Sequence, residues 1–427
     1  MTKRLKKSFF AKTIILTIGI TSIVFFSGLP ASSQTVDTLG RDVVPYHKYG
    51  KPYRDFLANP AGFHGPGRNK EVVAEVTEVR IGVFGPTKGT LAEAGASLCK
   101  GAQMAIDQAN AEGGYQGIPF QLVFRPDDGP WGTAARQMVK LAYEDKVWAV
   151  LGSVDGPNTH IAEQIATKAW VPLVAPTASD PTLTQINIPW IFCCMPNDQQ
   201  QALALAEYVF RTKGYTKIAG LAINDDYGRL GMAEFAGLAR RLGHPLYLEL
   251  KYEHNQVDFS KHLDLIERSD VEAIVIWGTP REASLFIHQL RSRGMTQAVL
   301  GGGALATPEL LQAGSSDLNG TIVVLPYNPF RDDQITQNFR KNFRARYGCE
   351  PDFFAAYSYD GMRIIIRAIR VAGLNRVRIR DAIATMTGFE GVVGKIEFTP
   401  NGINLTTPVT LALIHNGNFS PICQFSP

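Results

Sequence analysis

The sequence predicts an α/β protein of two lobes, each a mostly parallel sheet with helices on both faces. Three observations carry that expectation. From about residue 79 onward, short and continuously apolar runs alternate with amphipathic segments of helix length, the pattern of parallel strands covered on both sides. The alternation starts afresh after Pro196, which makes two successive open units. The chain of 427 residues is also too long for one ordinary core, so two or three domains are expected. No long Ser/Gly-rich or charged linker separates the units. The connections between lobes are therefore short, and the lobes exchange segments more than once.

The amino terminus reads differently. Lys3, Arg4, Lys6, Lys7 and Lys12 precede an apolar stretch from Thr13 to Leu29, and Ala31-Ser32-Ser33 then sets small residues where a signal peptidase reads. Residues 1–33 are expected to be a secretory signal peptide cleaved after Ser33, so that the mature chain starts at Gln34. The alternative is a retained anchor, because the run is near the minimum length of a membrane span. No cysteine precedes Cys99, so no lipid-modified cysteine tethers the mature terminus, and a Gram-negative periplasm is the expected compartment. Removing the five early cations from the formal charge of +4 leaves the rest at −1. That balance gives no electrostatic reason to bind nucleic acid. Residues 34–77 follow, rich in Pro, Gly and aromatics, as in "YGKPYRDFLANPAGFHGPGR". They lack helical or strand periodicity and read as an arm. Whether it drapes over the body, stays disordered or straps a partner is left open.

From Val79 the elements follow in order. "VRIGVFG" is a strand, a helix runs from about Ala92 to Ala111, and "FQLVFR" is the next strand. The helix "TAARQMVKLAYEDK", the strand "VWAVLG", the helix through "IAEQIATKA", and the strands "VPLVAP" and "WIFCC" complete the first unit. In the second unit "KIAGLAI", "PLYLELKY", "VEAIVIWG", "QAVLG" and "GTIVVLP" are strands. Between them lie helices at "MAEFAGLARRLG", "KHLDLIER" and "EASLFIHQLRSRG". Residues 332–385 read as largely helical and 389–416 as strands, including the alternating "TPVTLALIHNG". Five cysteines leave at least one unpaired. Cys193 and Cys194 are adjacent on a strand and point to opposite faces, and Cys349 with Cys423 is a candidate pair. No CxxC or Cys/His cluster points to a metal, and no cofactor is expected.

In open α/β sheets, ligands bind beyond the carboxyl ends of the strands. Polar loops fall there: "SVDGPNT", "PTASD", "NDDYG", "GTPR" and "GGGALAT". Hydrolase chemistry fits poorly, because Ser153 in "GSVDG" stands one position early for a nucleophile elbow. The eight histidines show no metal spacing, and no GxxxxGK[ST] or GxGxxG motif exists for a nucleotide. His160 is expected on a helix in a structural role. No enzyme activity is expected. What the loops offer is hydrogen bonding without a reactive group. Asn158, Thr159, Thr177 and Ser179 supply neutral donors, and a helix beginning near Gly156 supplies backbone N–H groups, a set suited to a carboxylate. Tyr227 and Trp277 add aromatic walls.

From about Val79 to its end the chain resembles the periplasmic solute-binding proteins of ABC transporters, type I fold, branched-chain amino acid branch. The stretches that carry the resemblance are "IGVFGPTKG", "GAQMAIDQANAEGG", "PLVAPTASDPTLT", "NDDYGRLGMAEF" and "AAYSYDGMRIIIRAI", in the order the family shows. It implies lobe 1 at 78–197 with 327–402 and lobe 2 at 198–326 with 403–427. Three crossovers are implied, near 195–200, 325–329 and 399–407, with closure on a small ligand by hinge motion. It further implies a monomer serving an ABC permease. The ligand's carboxylate and ammonium would meet Asp155 to Thr159 together with Thr177 and Ser179, and Tyr227 matches the tyrosine of the family's "YG" motif. The chain departs from the family at four places: the usual first-loop serine falls on Gly156, an aromatic on Ala94, a second-lobe tyrosine on Thr279, and the ammonium-binding acid on Gly303. A buried ammonium left unpaired costs several kcal/mol in order of magnitude. Either Asp155 or Asp226 replaces that acid, or the ligand is an amide, urea or aromatic acid, a reading that Gly303 and Trp277 favour. A ligand-sensing partner of a signalling receptor is the other alternative.

Overall fold

The computed structural model describes residues 62–70, 76–313 and 316–426. The expected signal peptide lies outside these residues, and the expected arm falls within them only at 62–70 and 76–77.

The first unit runs β1 (Val79–Gly85), α1 (Ala92–Ala111), β2 (Phe120–Pro126), α2 (Trp131–Val139), β3 (Val150–Gly152), α3 (Gly156–Ala169), β4 (Leu173–Ala175), α4 (Thr182–Gln185) and β5 (Ile191–Cys193). Its five strands are parallel, in the order β2-β1-β3-β4-β5. Alternate residues serve opposite faces. Val79, Ile81 and Val83 enter one core cluster, whereas Phe84, Val150, Leu173 and Ile191 enter another with Met138 of α2 and Ala162 of α3. That double cover explains why the strand segments are apolar throughout. On α1 the buried Leu98, Ala102, Ala105 and Ala109 recur at helical spacing and form the face that meets the sheet.

The second unit runs α5 (Asp198–Ala206), β6 (Ile218–Ile223), α6 (Asp226–Arg241), β7 (Leu248–Tyr252), α7 (Ser260–Glu267), β8 (Ala273–Trp277), α8 (Pro280–Ser292), β9 (Ala298–Gly301), α9 (Pro308–Ala313) and β10 (Ile322–Leu325). The chain then returns to the first core with α10 (Gln334–Tyr347), α11 (Phe353–Ala372), α12 (Arg376–Ala384) and the hairpin β11 (Phe389–Gly391) and β12 (Gly394–Ile396). Phe343, Ile365, Ile379 and Val392 from these elements share a cluster with Val83 of β1. Finally β13 (Val409–His415) and β14 (Asn418–Phe425) extend the second sheet, whose order is β14-β13-β10-β9-β8-β6-β7. β7, β6, β8, β9 and β10 pair in parallel, and β13 and β14 are antiparallel additions. The chain thus crosses between sheets three times, after Cys193, after Leu325 and after Ile396. This is the two-lobed α/β architecture expected.

Two details depart from the sequence reading. β14 lies beyond the last expected strand, and its register with β13 shifts between Leu411 and Ala412, beside Pro421. A proline in an edge strand at an irregularity gives up no ladder bond. The candidate Cys349–Cys423 bridge is not formed. Both are free thiols, and they are held apart by the fold, Cys349 after α10 on the first core and Cys423 on β14 of the second sheet.

Residues 62–70 lie on lobe 1. The Phe63 ring packs edge-on against Trp170 at 5.3 Å and Trp190 at 4.8 Å. Arg68 pairs with Asp381 at 2.6 Å, and Asn375 Nδ2 donates to Gly67 O at 2.8 Å. Trp190 immediately precedes β5 and Asn375 caps α12. This part of the arm therefore sits at the amino-terminal end of the first sheet, away from the strand ends where ligands bind.

Candidate functional site

The strand order places β1 beside β3 while their connections leave in opposite directions, and such a switch point opens a crevice at the carboxyl ends. Asp127 after β2, Ser153 to Thr159 after β3, and Thr177 to Asp180 after β4 gather there. Much of this set shapes the loop. Asp155 is the N-cap of α3, its Oδ1 accepting from Asn158 N at 2.9 Å and its Oδ2 from Asn158 Nδ2 at 3.2 Å, a cap of the kind worth about 1 kcal/mol. Burial raises the pKa of this carboxyl, and the two Asn158 bonds oppose that rise. Thr159 is fully buried, and its hydroxyl accepts from Ser153 N at 3.1 Å and donates to Asp155 O at 2.5 Å. The Thr177 hydroxyl donates to Val154 O at 3.3 Å and ties the two loops together.

Ser179 is where lobe 1 meets the other half of the chain. Asp198 N, the first residue of α5, donates to Ser179 O at 2.7 Å. The Asp198 side chain is 1% exposed, lies beside the Ser179 hydroxyl and the Trp277 indole, and keeps Oδ1 without a partner. Burial raises its pKa well above the ordinary carboxyl range, Asp180 adds to the rise, and the Ser179 hydroxyl counters it. Trp277 ends β8 fully buried, its Nε1, like Asp198 Oδ1, without a hydrogen-bond partner among the described residues, and its ring centroid is 6.4 Å from that of Tyr227. Gly231 of α6 makes room for this indole, since a Cβ there would stand 1.9 Å from Trp277 Nε1. Tyr227 Oη accepts from Ala304 N at 3.4 Å, and Gly303 N donates to Gln201 Oε1 at 2.9 Å. Ser179, Tyr227, Trp277 and Gly303 are thus brought together around Asp198.

Asp226 and Thr279 are not part of that group. Asp226 is exposed and paired with Arg229 one turn along α6. Thr279 opens α8, with its N–H donating to Tyr252 Oη at 3.0 Å and its hydroxyl to Glu282. Two departures from the family acquire a steric cause. A Cβ at Gly156 would lie 2.9 Å from Asp180 Cβ, and a Cβ at Gly303 would lie 2.8 Å from Gln201 Oε1 and 2.9 Å from Pro326 Cγ. Asp180 and Gln201 fill the space that larger residues at 156 and 303 would need. Ala94 is buried on α1.

Several site residues escape sequence reasoning. Asp198 follows Asn197, whose capping box with Gln200 reads as an ordinary helix start, so its acid looks like a first-turn charge facing water. Glu234 carries a usable signal, since it lies seven residues after Tyr227 on the same face of α6. It is 5% exposed with Oε2 unpartnered among the described residues, and burial pushes its pKa to about 8. Asp127 is 1% exposed, accepts from the Ser153 hydroxyl, and is pushed by burial to about 7. His160 bridges Glu163 at 2.6 Å, Thr182 at 2.9 Å and Asp180 at 3.2 Å. Ser153 and His160 are therefore each bound to carboxyl groups and not to one another. Among the described residues, no group of three or more His, Cys, Asp or Glu is placed to hold a metal ion.

Comparison with known proteins agrees with this geometry. The sequence profile described as "Periplasmic binding protein" matches residues 78–418. An "Amino acid binding protein" of Pseudomonas aeruginosa is 26% identical over 333 residues, which is 77% of this chain and 87% of that protein. "Leu/Ile/Val-binding protein homolog 2" of Brucella abortus is 25% identical over 341 residues, covering 78% of this chain and 90% of its own length. Among solved structures, the branched-chain amino acid transporter substrate binding protein LivJ of Streptococcus pneumoniae, in complex with isoleucine, superposes with a TM-score of 0.74 at 26% identity. The match covers 81% of this chain and 99% of that one. A solute binding protein of R. palustris in complex with benzoate has the same fold, with a TM-score of 0.73 at 19% identity over 82% of this chain and 97% of its own. The matched profile spans most of the chain, which belongs to the periplasmic binding protein family.

Proposed function

We propose that this protein is the periplasmic substrate-binding component of an ABC transporter. It captures an amino acid of the branched-chain type, or a related small polar solute, by closure of its lobes. The observation that carries the reading is the meeting of Ser179, on the strand-end loop of lobe 1, with Tyr227 and Trp277 of lobe 2 around the buried Asp198. Neutral donors on one side and aromatic walls on the other suit a small zwitterion with an apolar side chain. The leucine, isoleucine and valine binding named for the relatives supports the same class. In this reading the Ser179 hydroxyl and the backbone N–H groups of the loop that carries Thr177 and Ser179, with Gly156 N at the start of α3, take the carboxylate, while the Thr177 hydroxyl stays on Val154 O. Asp155, Asn158 and Thr159 hold the loop in shape.

The lobes divide as 78–197 with 327–402 and 198–326 with 403–427, and hinge motion about the three crossovers delivers the ligand as a monomer to an inner-membrane permease. Export by cleavage after Ser33 belongs to the same proposal. No helix among the described residues is long and apolar enough to cross a membrane.

Thermal-shift screening against leucine, isoleucine, valine and benzoate tests the reading, because a ligand at a hundred times its Kd adds about 2.7 kcal/mol. Stabilisation by at least one of the amino acids is expected, and no response to any of them refutes it. A second reading, an aromatic acid receptor, draws on the missing acid at Gly303 and the buried Trp277. Stabilisation by benzoate alone selects it.

A further inference from the structure

We propose that Asp198 holds the ammonium group of the bound solute, which restricts the site to amino acids and related zwitterions that carry a cation. The proposal rests on the reading above that a small polar solute fills the cleft, and it names the group that selects among such solutes.

The placement of Asp198 is the first observation. It lies between Ser179 of lobe 1 and Trp277 of lobe 2, is 1% exposed, and leaves Oδ1 unpartnered among the described residues. A buried carboxyl oxygen without a donor is costly, and an arriving N–H group removes that cost. The second observation is that position 303 carries no acid. Glycine stands there, Gln201 Oε1 accepts its N–H at 2.9 Å, and a Cβ at 303 would require Gln201 or Pro326 to shift. The third is that three other acids of these loops and helix starts are committed elsewhere. Asp155 holds Asn158, Asp226 pairs with Arg229, and Asp180 meets His160 and Thr182.

The groups facing Asp198 are the Ser179 hydroxyl and Asp180 carboxylate from the loop after β4, the Trp277 indole from β8, and Tyr227 and Glu234 from α6. His160, the cation that pairs with Asp180, is already shared between Glu163 and Asp180. Asp198 therefore has no countercharge of its own among the groups that face it, and burial raises its pKa well above the ordinary carboxyl range. The ligand's ammonium supplies that countercharge, and the Asp198 carboxylate pairs with it.

Calorimetry with two probes tests this: L-leucine, and 2-hydroxy-4-methylpentanoate, in which a hydroxyl replaces the ammonium. Wild type, Asp198→Asn and Asp226→Asn are compared at pH 7. Wild type is expected to prefer leucine by roughly 100-fold or more, the factor expected from a buried charge pair. Asp198→Asn should lose about that factor for leucine while its affinity for the hydroxy acid changes by no more than about 3-fold. Asp226→Asn, an exposed acid outside this group, should keep the preference.

Equal loss of both probes in Asp198→Asn overturns the assignment, because it marks a merely structural role. Unchanged leucine binding in that variant, or collapse of the preference in Asp226→Asn, also overturns it, while the amino-acid reading stands. Wild type that binds the hydroxy acid and not leucine brings down both.

Discussion

His160→Gln is the substitution whose consequence the structure specifies most fully. The imidazole joins Glu163 of its own helix to Asp180 and Thr182 of the loop after β4, at 2.6, 3.2 and 2.9 Å. It thereby pins α3 to the loop that carries Thr177 and Ser179. Its side chain is 30% exposed, against 1% for Glu163 and 11% for Asp180. Burial disfavours the imidazolium, but the hydrogen bonds and charges of Asp180 and Glu163 outweigh it and raise the pKa to about 10. Removing the cation leaves two largely buried carboxyls facing each other. Breaking a buried pair costs about 3–5 kcal/mol, and the partial exposure of the ring brings the expectation to about 2–3 kcal/mol.

The pH dependence gives this prediction its sharper form. A histidine whose folded pKa is raised stabilises the native state fully below its unfolded value of 6.5, and that contribution is lost as pH rises towards 10. Between those values the folded state holds one proton more than the unfolded state, so the contribution falls by at most about 1.4 kcal/mol per pH unit. Asp127 and Glu234, raised to about 7 and about 8, also make stability pH-dependent, but they remain in both proteins and cancel in the difference. Urea denaturation of wild type and variant from pH 6 to 9.5 measures that difference. It should be about 2–3 kcal/mol at pH 6 and shrink steadily above pH 6.5. A difference that stays constant with pH would refute the reasoning, because it would mean that the ring acts as a neutral packing group.

Three further outcomes are expected. Ser179→Ala removes one hydrogen bond to the ligand carboxylate and should cost about 1.5–3 kcal/mol of affinity for the amino acid identified in the screen. Calorimetry measures the loss, and an unchanged Kd moves the carboxylate elsewhere. Tyr227→Ala should weaken binding and leave the ligand-saturated protein less compact than saturated wild type in small-angle scattering. An unchanged radius of gyration in wild type on saturation counts against closure. Amino-terminal sequencing of the periplasmic fraction should begin at Gln34, and recovery only as an intact membrane-bound chain refutes export by cleavage.

Most strands were legible because burial on both faces leaves a continuous apolar run. "IAGLAI" of β6 is buried at every residue. β14 was not, since "NFSPICQF" lies half in solvent at an edge and contains a proline. The site was legible only where a polar or aromatic residue stands at or shortly beyond the carboxyl end of a strand, as Thr177, Ser179 and Trp277 do. Asp198 and Gln201 sit in a polar helix start, "NDQQQ", and their burial comes from β8, α6 and the β9 loop, which are distant in sequence. Local pattern carries no trace of such neighbours. Asp155 and Asp226, the two candidate replacements for the missing acid, look equivalent to Asp198 as sequence. Only the fold separates the buried and unpartnered carboxyl from the helix cap and from the surface ion pair.

The position of Asp198 also links ligand recognition to the hinge. It opens the helix that follows the first crossover, and the crossovers are stitched to one another. Asn404, fully buried on the third, donates to Cys194 O on the first at 2.7 Å and accepts from Gln200 Nε2 at 3.2 Å. Cys193 N donates to Gly402 O at 2.8 Å. Gln201 completes the set, donating to Pro196 O at 2.9 Å while it accepts from Gly303 N on the β9 loop. A change at Asp198 is therefore transmitted to residues whose backbone carries the hinge, with no intervening loop to absorb it. A ligand cation paired with Asp198 offsets the unfavourable proximity of the Asp198 and Asp180 carboxyls, and Asp180 belongs to the opposite lobe. Occupancy thus lowers the free energy of the arrangement in which Ser179 and Asp180 lie against α5 and α6, and the closed form is favoured by the differential contact that closure requires.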